Sequence, residues 1–473
     1  CSPPVEGPPP LNVVMIVVDD LGWMDSAAYG STFYDTPHID RLASEGARFT
    51  QFYTASPVCS PTRASLMSGK HPARLRLTNW IGGEQNGLLR QAEYIRELPL
   101  EEVTVGEAFQ EAGYATGYVG KWHLGRESFM PEAQGFGWTF AVNHAGQPGS
   151  YFPPYENPNW DITNVPDLEG DPDDAYLTDR LTDASLEFLE THADTAFLLV
   201  LSHYAVHTPL QAEEHAVAEY EAKARSLGEE TDADFRDERA SVTKLRQDHA
   251  TYAAMIRSTD ESVGRILDRL ETLGIADRTA VVFVSDNGGL STLMRRSFNL
   301  ATSNEPLRAG KGWLYEGGIR APLLVKWPGA APPGSVVDAL ATSHDLYPTL
   351  LEMAGLALRP GQHVDGVSLA GVLQGSATAR DTVYWHFPHY HGSGNRPSAA
   401  LRAGQWKLVH WFEDGVSELY DLDADLSESQ DLASEHPGLT ASLAERLEVW
   451  LRGVDANYPA PLESGGVSPG GDR

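Results

Sequence analysis

Three runs limit the fold of this chain more than anything else in it: "NVVMIVVDD" (12–20), "FLLVLSHYAVH" (197–207) and "TAVVFVSDNGG" (279–289). Each is a continuous apolar stretch that stops in acidic, amide or imidazole residues. A strand with one wet face alternates apolar and polar residues. A strand without alternation is buried on both faces, as in a parallel sheet covered by helices. "ATGYVGKWHLG" (115–125) and "APLLVKWPG" (321–329) read as further strands. Between them lie helical patterns. "TPHIDRLASEGARF" (36–49) has Thr36 as N-cap and Pro37 at the first position. "TVGEAFQEAGY" (104–114), "YLTDRLTDASLEFLETH" (176–192), a charged helix over about 243–273, and "SHDLYPTLLEMAG" (343–355) follow.

Strands alternating with helices predict an α/β fold: a large mixed, mostly parallel sheet sandwiched by helices. After about residue 380 the pattern changes to short strands, "TVYWHF", "SAALRAG", "WKLVHWF" and "SELYDL", joined by Gly, Asp and Asn turns. These predict a smaller C-terminal antiparallel sheet plus a helix near 437–452. The expected organisation is a Pro-rich tether (1–10), a catalytic α/β domain (11–378), a C-terminal subdomain (379–460) and a disordered tail (461–473).

The net charge of the 473-residue chain is -31. Such a surface repels nucleic acid, so no nucleic-acid partner is expected. An anionic ligand would need basic residues gathered locally, in a chain with only seven lysines. No apolar run approaches the roughly 20 residues that span a bilayer. The two cysteines, Cys1 and Cys59, form no disulfide framework. "CSPPVEGPPP" begins like a bacterial lipoprotein after removal of its signal segment. The expectation is an exported protein, periplasmic or at the outer membrane and cell surface, touching the membrane only through a lipid on Cys1.

The polar residues of interest follow the C-terminal ends of strands, where open α/β sheets bind ligands. Asp19, Asp20, Asp286 and Asn287 form an oxygen-only set. Either pair alone reads as a turn; together they suit Ca²⁺ or Mg²⁺ rather than zinc. Arg63, Lys121, His123, His207 and Lys311 form a basic group. Singly each is an ion pair, a cap or a core histidine; collectively they would neutralise a tetrahedral oxyanion. Cys59, at the start of a helix near Pro61, reads as a buried small hydrophobe or as a thiolate activated by Arg63 and the helix N-terminus.

A third reading of Cys59 comes from resemblance. "CSPTRASLMSG" resembles the signature of type I sulfatases, with Thr62 in place of the usual Ser and Ser68 in place of the usual Thr. "VVDDLG", "GKWHLG", "HTP", "SDNGG" and "GKGWLYEGGIRAP" follow that family's order, from Asn12 to about Trp450. The resemblance implies an alkaline phosphatase-like fold and sulfate-ester hydrolysis. It implies that Cys59 is converted to 3-oxoalanine (formylglycine) by a formylglycine-generating or other sulfatase-maturing enzyme, and that the hydrated aldehyde is the nucleophile. Asp19, Asp20, Cys59, Asp286 and Asn287 then match the Ca²⁺ site. Arg63 then matches the residue that holds the hydrate, with Lys121 nearby, His123 the base that helps the aldehyde re-form, and His207 and Lys311 the residues that bind sulfate and assist the leaving oxygen, with Asp286 within reach as base.

A sulfated carbohydrate is the expected substrate, with a lean by family likeness to exo-removal of sulfate from galactose or N-acetylgalactosamine. His144, His386, His389, Tyr390, His391 and Arg396 are expected to line a sugar pocket and Trp385 to stack on a ring; a structural aromatic–histidine loop is the alternative. A phosphonate or phosphodiester hydrolase, or a non-catalytic binder of sulfated glycans, are the competing functions.

Overall fold

The computed structural model describes residues 10–157, 165–297, 299–376 and 380–462. Cys1, all of the tether except Pro10, and the tail from 463 onward lie outside them.

The eight strands of the main sheet are, in chain order, β1 (Asn12–Val18), β2 (Ala47–Phe49), β3 (Ala115–Lys121), β4 (Trp138–Asn143), β5 (Phe197–Ser202), β6 (Thr279–Ser285), β7 (Leu323–Lys326) and β8 (Ser335–Val337). Across the sheet they run β8-β2-β7-β6-β1-β5-β3-β4. The five strands from β6 to β4 are mutually parallel. Only β7 runs against its neighbours. β1 lies at the centre and every one of its residues is buried.

Period-2 geometry divides β1 between two cores. Val14, Ile16 and Val18 join one cluster with helices α1 (Pro37–Glu45), α4 (Leu177–Thr191) and α5 (Ala250–Thr272). Val13, Met15 and Val17 join the other with α2 (Cys59–Ser68), α3 (Val105–Glu111) and α6 (Leu346–Met353). The expected sandwich is therefore present, with helices on both faces.

One helix is shorter than expected. The charged helix placed over about 243–273 begins at Ala250, where the His249 side chain accepts from Tyr252 N. Ser241–Lys244 is instead a strand, paired with Phe235–Glu238 and with Thr292–Leu293. Val242 and Thr243 are β-branched, and pairing outweighed the run of charge.

The C-terminal sheet is antiparallel in chain order: β9 (Thr382–Phe387), β10 (Ser398–Ala403), β11 (Trp406–Trp411) and β12 (Ser417–Asp421). One face packs on Trp313 and Tyr315 of the main body. The other is covered by Leu443, Leu447 and Leu451 of α7 (Pro437–Gly453). Among the described residues no helix is long and apolar enough to cross a membrane.

Candidate active site

Register brings the polar strand ends together. Val18 pairs with Ser285, so Asp19 and Asp286 leave the sheet side by side. Ser202 pairs with Val17 and with Gly120, which sets Lys121 beside them. Cys59 is the first residue of α2, buried and free. Asp20 and His123 have φ of 62° and 58°, a region non-glycine residues enter at a cost of about 1–3 kcal/mol.

The basic and acidic groups interlock around Cys59. Arg63 donates from Nε to Asp286 Oδ2 at 2.8 Å and from Nη1 to Ser202 Oγ at 2.6 Å and Lys121 O at 2.9 Å. Lys121 Nζ donates to Asp19 Oδ2. Lys311 Nζ spans both oxygens of Asp20, at 2.7 and 2.8 Å. His207 Nε2 stands 3.7 Å from Asp20 Oδ2. The Cys59 thiol lies 3.3 Å from His123 Nδ1. His123 Nε2 must donate to Ile81 O, 3.2 Å away, because a carbonyl only accepts. Its Nδ1 lone pair therefore faces residue 59.

Ligand atoms of Asp19, Cys59 and Asp286 all lie within 4.8 Å of one another. Asp20 is engaged by Lys311 and by Asn287 Nδ2 at 2.8 Å. Asp19 Oδ1 and Asn287 Oδ1 are buried without a hydrogen-bond partner. Buried oxygens left unpaired among crowded carboxylates fit a hard cation.

The electrostatics agree. Burial lifts the Asp19 carboxyl well above the usual range, and the carboxylates of Asp286 and Asp20 add to this against Lys121. Burial acts to raise Asp20 as well, but Lys311 and His207 hold it below the usual range. Burial also raises the Cys59 thiol, in spite of Lys121 and Lys311. A thiol held protonated is a poor thiolate nucleophile, which disfavours that reading of Cys59. Burial, with Lys311, pushes His207 down to about 3.

The residues expected to line a sugar pocket fare differently. Trp385 cannot stack on a ligand: it is 1% exposed, its indole N–H donates to Thr54 O at 2.8 Å, and its ring meets Tyr53 edge-on. His386 is buried on Asn457 O, and His389 on Thr78 Oγ1. Arg396 is paired with Glu413 at 2.8 Å and lies over the Trp411 ring. Tyr390 donates to Glu413 and packs against Gly87. These are structural contacts, in line with the alternative stated for that loop. His144 is only partly buried, two residues before Gly146, which lies against the His123 ring. His391 is partly exposed beside Gly312, and Lys311 and Asp20 act on it electrostatically. Sequence reasoning missed Trp80 and Ile81, whose loop touches both Ser60 and His123. The one signal was their closeness in sequence to Cys59.

A buried reactive position between carboxylates and at least five cationic or imidazole groups is the site of a hydrolase for anionic esters. The sulfatase family model matches residues 11–356, and that of the C-terminal region of N-sulphoglucosamine sulphohydrolase matches residues 309–452. A sulfatase of Formosa agariphila is 32% identical over 95% of this chain and 90% of its own. An N-acetylgalactosamine-6-sulfatase of Sus scrofa is 32% identical over 85% of this chain and 72% of its own. The crystal structure of Ps i-CgsB superposes with a TM-score of 0.74 at 28% identity over 93% of each chain, and that protein has also been solved with k-i-k-neocarrahexaose. The chain belongs to the sulfatase family and is a sulfuric ester hydrolase.

Proposed function

We propose that this sulfatase removes O-sulfate from a sulfated glycan, by exo action on galactose or N-acetylgalactosamine, with a formylglycine made from Cys59 and a bound Ca²⁺. The observation that carries this is the convergence of Arg63, Lys121, His123, His207 and Lys311 with Asp19, Asp20 and Asp286 around one buried residue. The glycan is supported by the similarity to the Sus scrofa N-acetylgalactosamine-6-sulfatase and by the oligosaccharide bound in the Ps i-CgsB complex.

Asp19, Asp20, Asp286 and Asn287, with residue 59, would hold the ion. Bound there, Ca²⁺ would supply charge neutralisation for an anionic ester. A formylglycine at position 59, made by a formylglycine-generating or other sulfatase-maturing enzyme, would supply, as the hydrated aldehyde, one hydroxyl as nucleophile and a second on the same carbon. A plain serine or cysteine has no such second group.

The other roles follow from side-chain geometry. Arg63 holds Asp286 and leaves Nη2 without a hydrogen-bond partner, 4.0 Å from Asp19 Oδ1. His123 turns an unprotonated Nδ1 toward residue 59, as a base there requires. His207 donates from Nδ1 to Thr208 O at 2.9 Å, so Nε2 is its free nitrogen on the Asp20 side. Sulfate beside it adds negative charge, raises its proton affinity and lets it, with Lys311, protonate the departing alkoxide.

The test is a panel on protein produced with a sulfatase-maturing enzyme: galactose and N-acetylgalactosamine 4- and 6-sulfates, a phosphonate monoester and a phosphodiester. Mass spectrometry of the Cys59 peptide runs alongside. Conversion of Cys59 with preferred turnover of a sugar sulfate is expected. Preference for the phosphonate or diester, or an unconverted thiol with no turnover, would overturn the proposal.

A further inference from the structure

We propose that Trp80 is the platform on which the sugar ring of the substrate rests, and so selects a pyranoside as the alcohol half of the ester. The inference rests on the function proposed above. Two bonds place this residue next to the reacting centre: Ile81 N donates to Ser60 Oγ at 3.1 Å, and Ile81 O accepts from His123 Nε2 at 3.2 Å. Trp80 is one residue from these contacts, and Ser60 one residue from Cys59.

The loop is stiff. Asn79 Nδ2 donates to Gly83 O at 3.0 Å, and the Tyr94 hydroxyl lies 2.9 Å from the same carbonyl and 3.2 Å from Trp80 O. The indole lies along Gly82 and Gly83. A Cβ at Gly82 would come within 3.0 Å of its six-membered ring, and one at Gly83 within 2.8 Å of Nε1. The two glycines therefore give the ring its bed. Beyond it the indole touches the cluster that contains Trp313 and Trp385, but it stays partly exposed. Among the described residues no aromatic ring stacks on it and no group bonds its N–H.

A rigid, partly exposed indole beside a reactive centre is unused apolar area. A pyranose presents C–H groups on one face, and these pack on an aromatic ring. The Trp80 loop is tied to the 388–396 loop by Thr78 Oγ1 with His389 Nε2 at 2.8 Å and by Leu89 N to Tyr390 OH at 2.9 Å. That second loop carries His391 beside Lys311. The two loops are thus held together, with Trp80 one residue from the contacts to Ser60 and His123 and His391 against Gly312, next to Lys311, so that an apolar and a polar group are offered to an amphipathic sugar.

The experiment compares parent enzyme with Trp80→Ala, Trp80→Leu and Trp80→Phe, all matured alike. Galactose 6-sulfate and N-acetylgalactosamine 6-sulfate are the substrates, and inorganic sulfate is the competitive inhibitor. Trp80→Ala and Trp80→Leu should raise KM for one or both sugars about tenfold, with inhibition by sulfate unchanged and with Trp80→Phe recovering most of the loss. Trp80→Leu keeps apolar packing without a flat face, so it decides the matter if Trp80→Ala fails to fold. Unchanged KM for both sugars, or a parallel weakening of inhibition by sulfate, would overturn the role of Trp80 alone. A parent enzyme that turns over no sugar sulfate would overturn this role together with the function it rests on.

Discussion

Asp19 is buried beside two further carboxylates, which with burial raise its carboxyl, and one of its oxygens has no hydrogen-bond partner. Such crowding penalises the metal-free state. Adding Ca²⁺ to chelator-treated protein should therefore raise its melting temperature, following RT ln(1 + [L]/Kd). Asp19→Asn removes one of the crowded charges and should shrink that rise, which differential scanning calorimetry would read. At Cys59 the expectation is the reverse. Cys59→Ala removes one sulfur from a buried position, so it should melt within a few degrees of the parent while losing all turnover; parental turnover in that variant would remove residue 59 from the mechanism. The oxygen-rich strand ends and the basic group were legible as residue types. The tautomers of His123 and His207 were not, since each is set by one carbonyl, Ile81 O or Thr208 O, brought in by folding.

Strand β9 shows how an element overrides a residue-level expectation. Val383, Trp385 and Phe387 alternate along it and share the face packed against the main body. Period 2 alone assigns Trp385 to a core, whereas the histidines around it suggested a pocket. Trp385→Phe should consequently lower stability by about 1–2 kcal/mol, through the lost bond to Thr54 O and a smaller ring. It should leave KM for a sugar sulfate unmoved, in contrast to Trp80→Leu. Helix α3 was readable because its signals are local: Thr104 and Glu107 form a reciprocal capping box. The start of α5 was harder to see, because Lys244, Arg246 and Asp248 lead up to Ala250 without a Gly or Pro break, while Ser241–Lys244 is drawn into a hairpin with Phe235–Glu238 and pairs with the distant Thr292–Leu293.

Across the whole molecule the C-terminal sheet is bolted to the segment that carries Lys311. Lys407 of β11 lies 2.9 Å from Glu316 and 2.8 Å from Glu428, all three buried. Glu316 also accepts from the Tyr53 hydroxyl at 2.6 Å. Lys407→Met would leave two buried carboxylates without their shared cation, a loss of about 3–5 kcal/mol measurable by denaturant unfolding. Burial, against Lys407, pushes Glu428 up to about 7. The folded state thus binds that proton more tightly than the unfolded chain does. Its stabilising contribution is complete below the ordinary glutamate range and declines as pH rises to about 7. Glu428→Gln should flatten that part of the stability–pH curve; an unchanged slope would show that Glu428 does not titrate there. Local patterns in the chain were enough to specify the doubly covered sheet, the ends of its central strands and the residue types waiting there, because apolar periodicity and caps act over a few neighbours. Which of those residues meet, and what covers each face of the C-terminal sheet, was decided only by strand register and by the docking of that sheet. Both depend on contacts between residues far apart in the chain, such as Arg63 with Asp286, 223 positions away, and Lys407 with Glu316, 91 positions away.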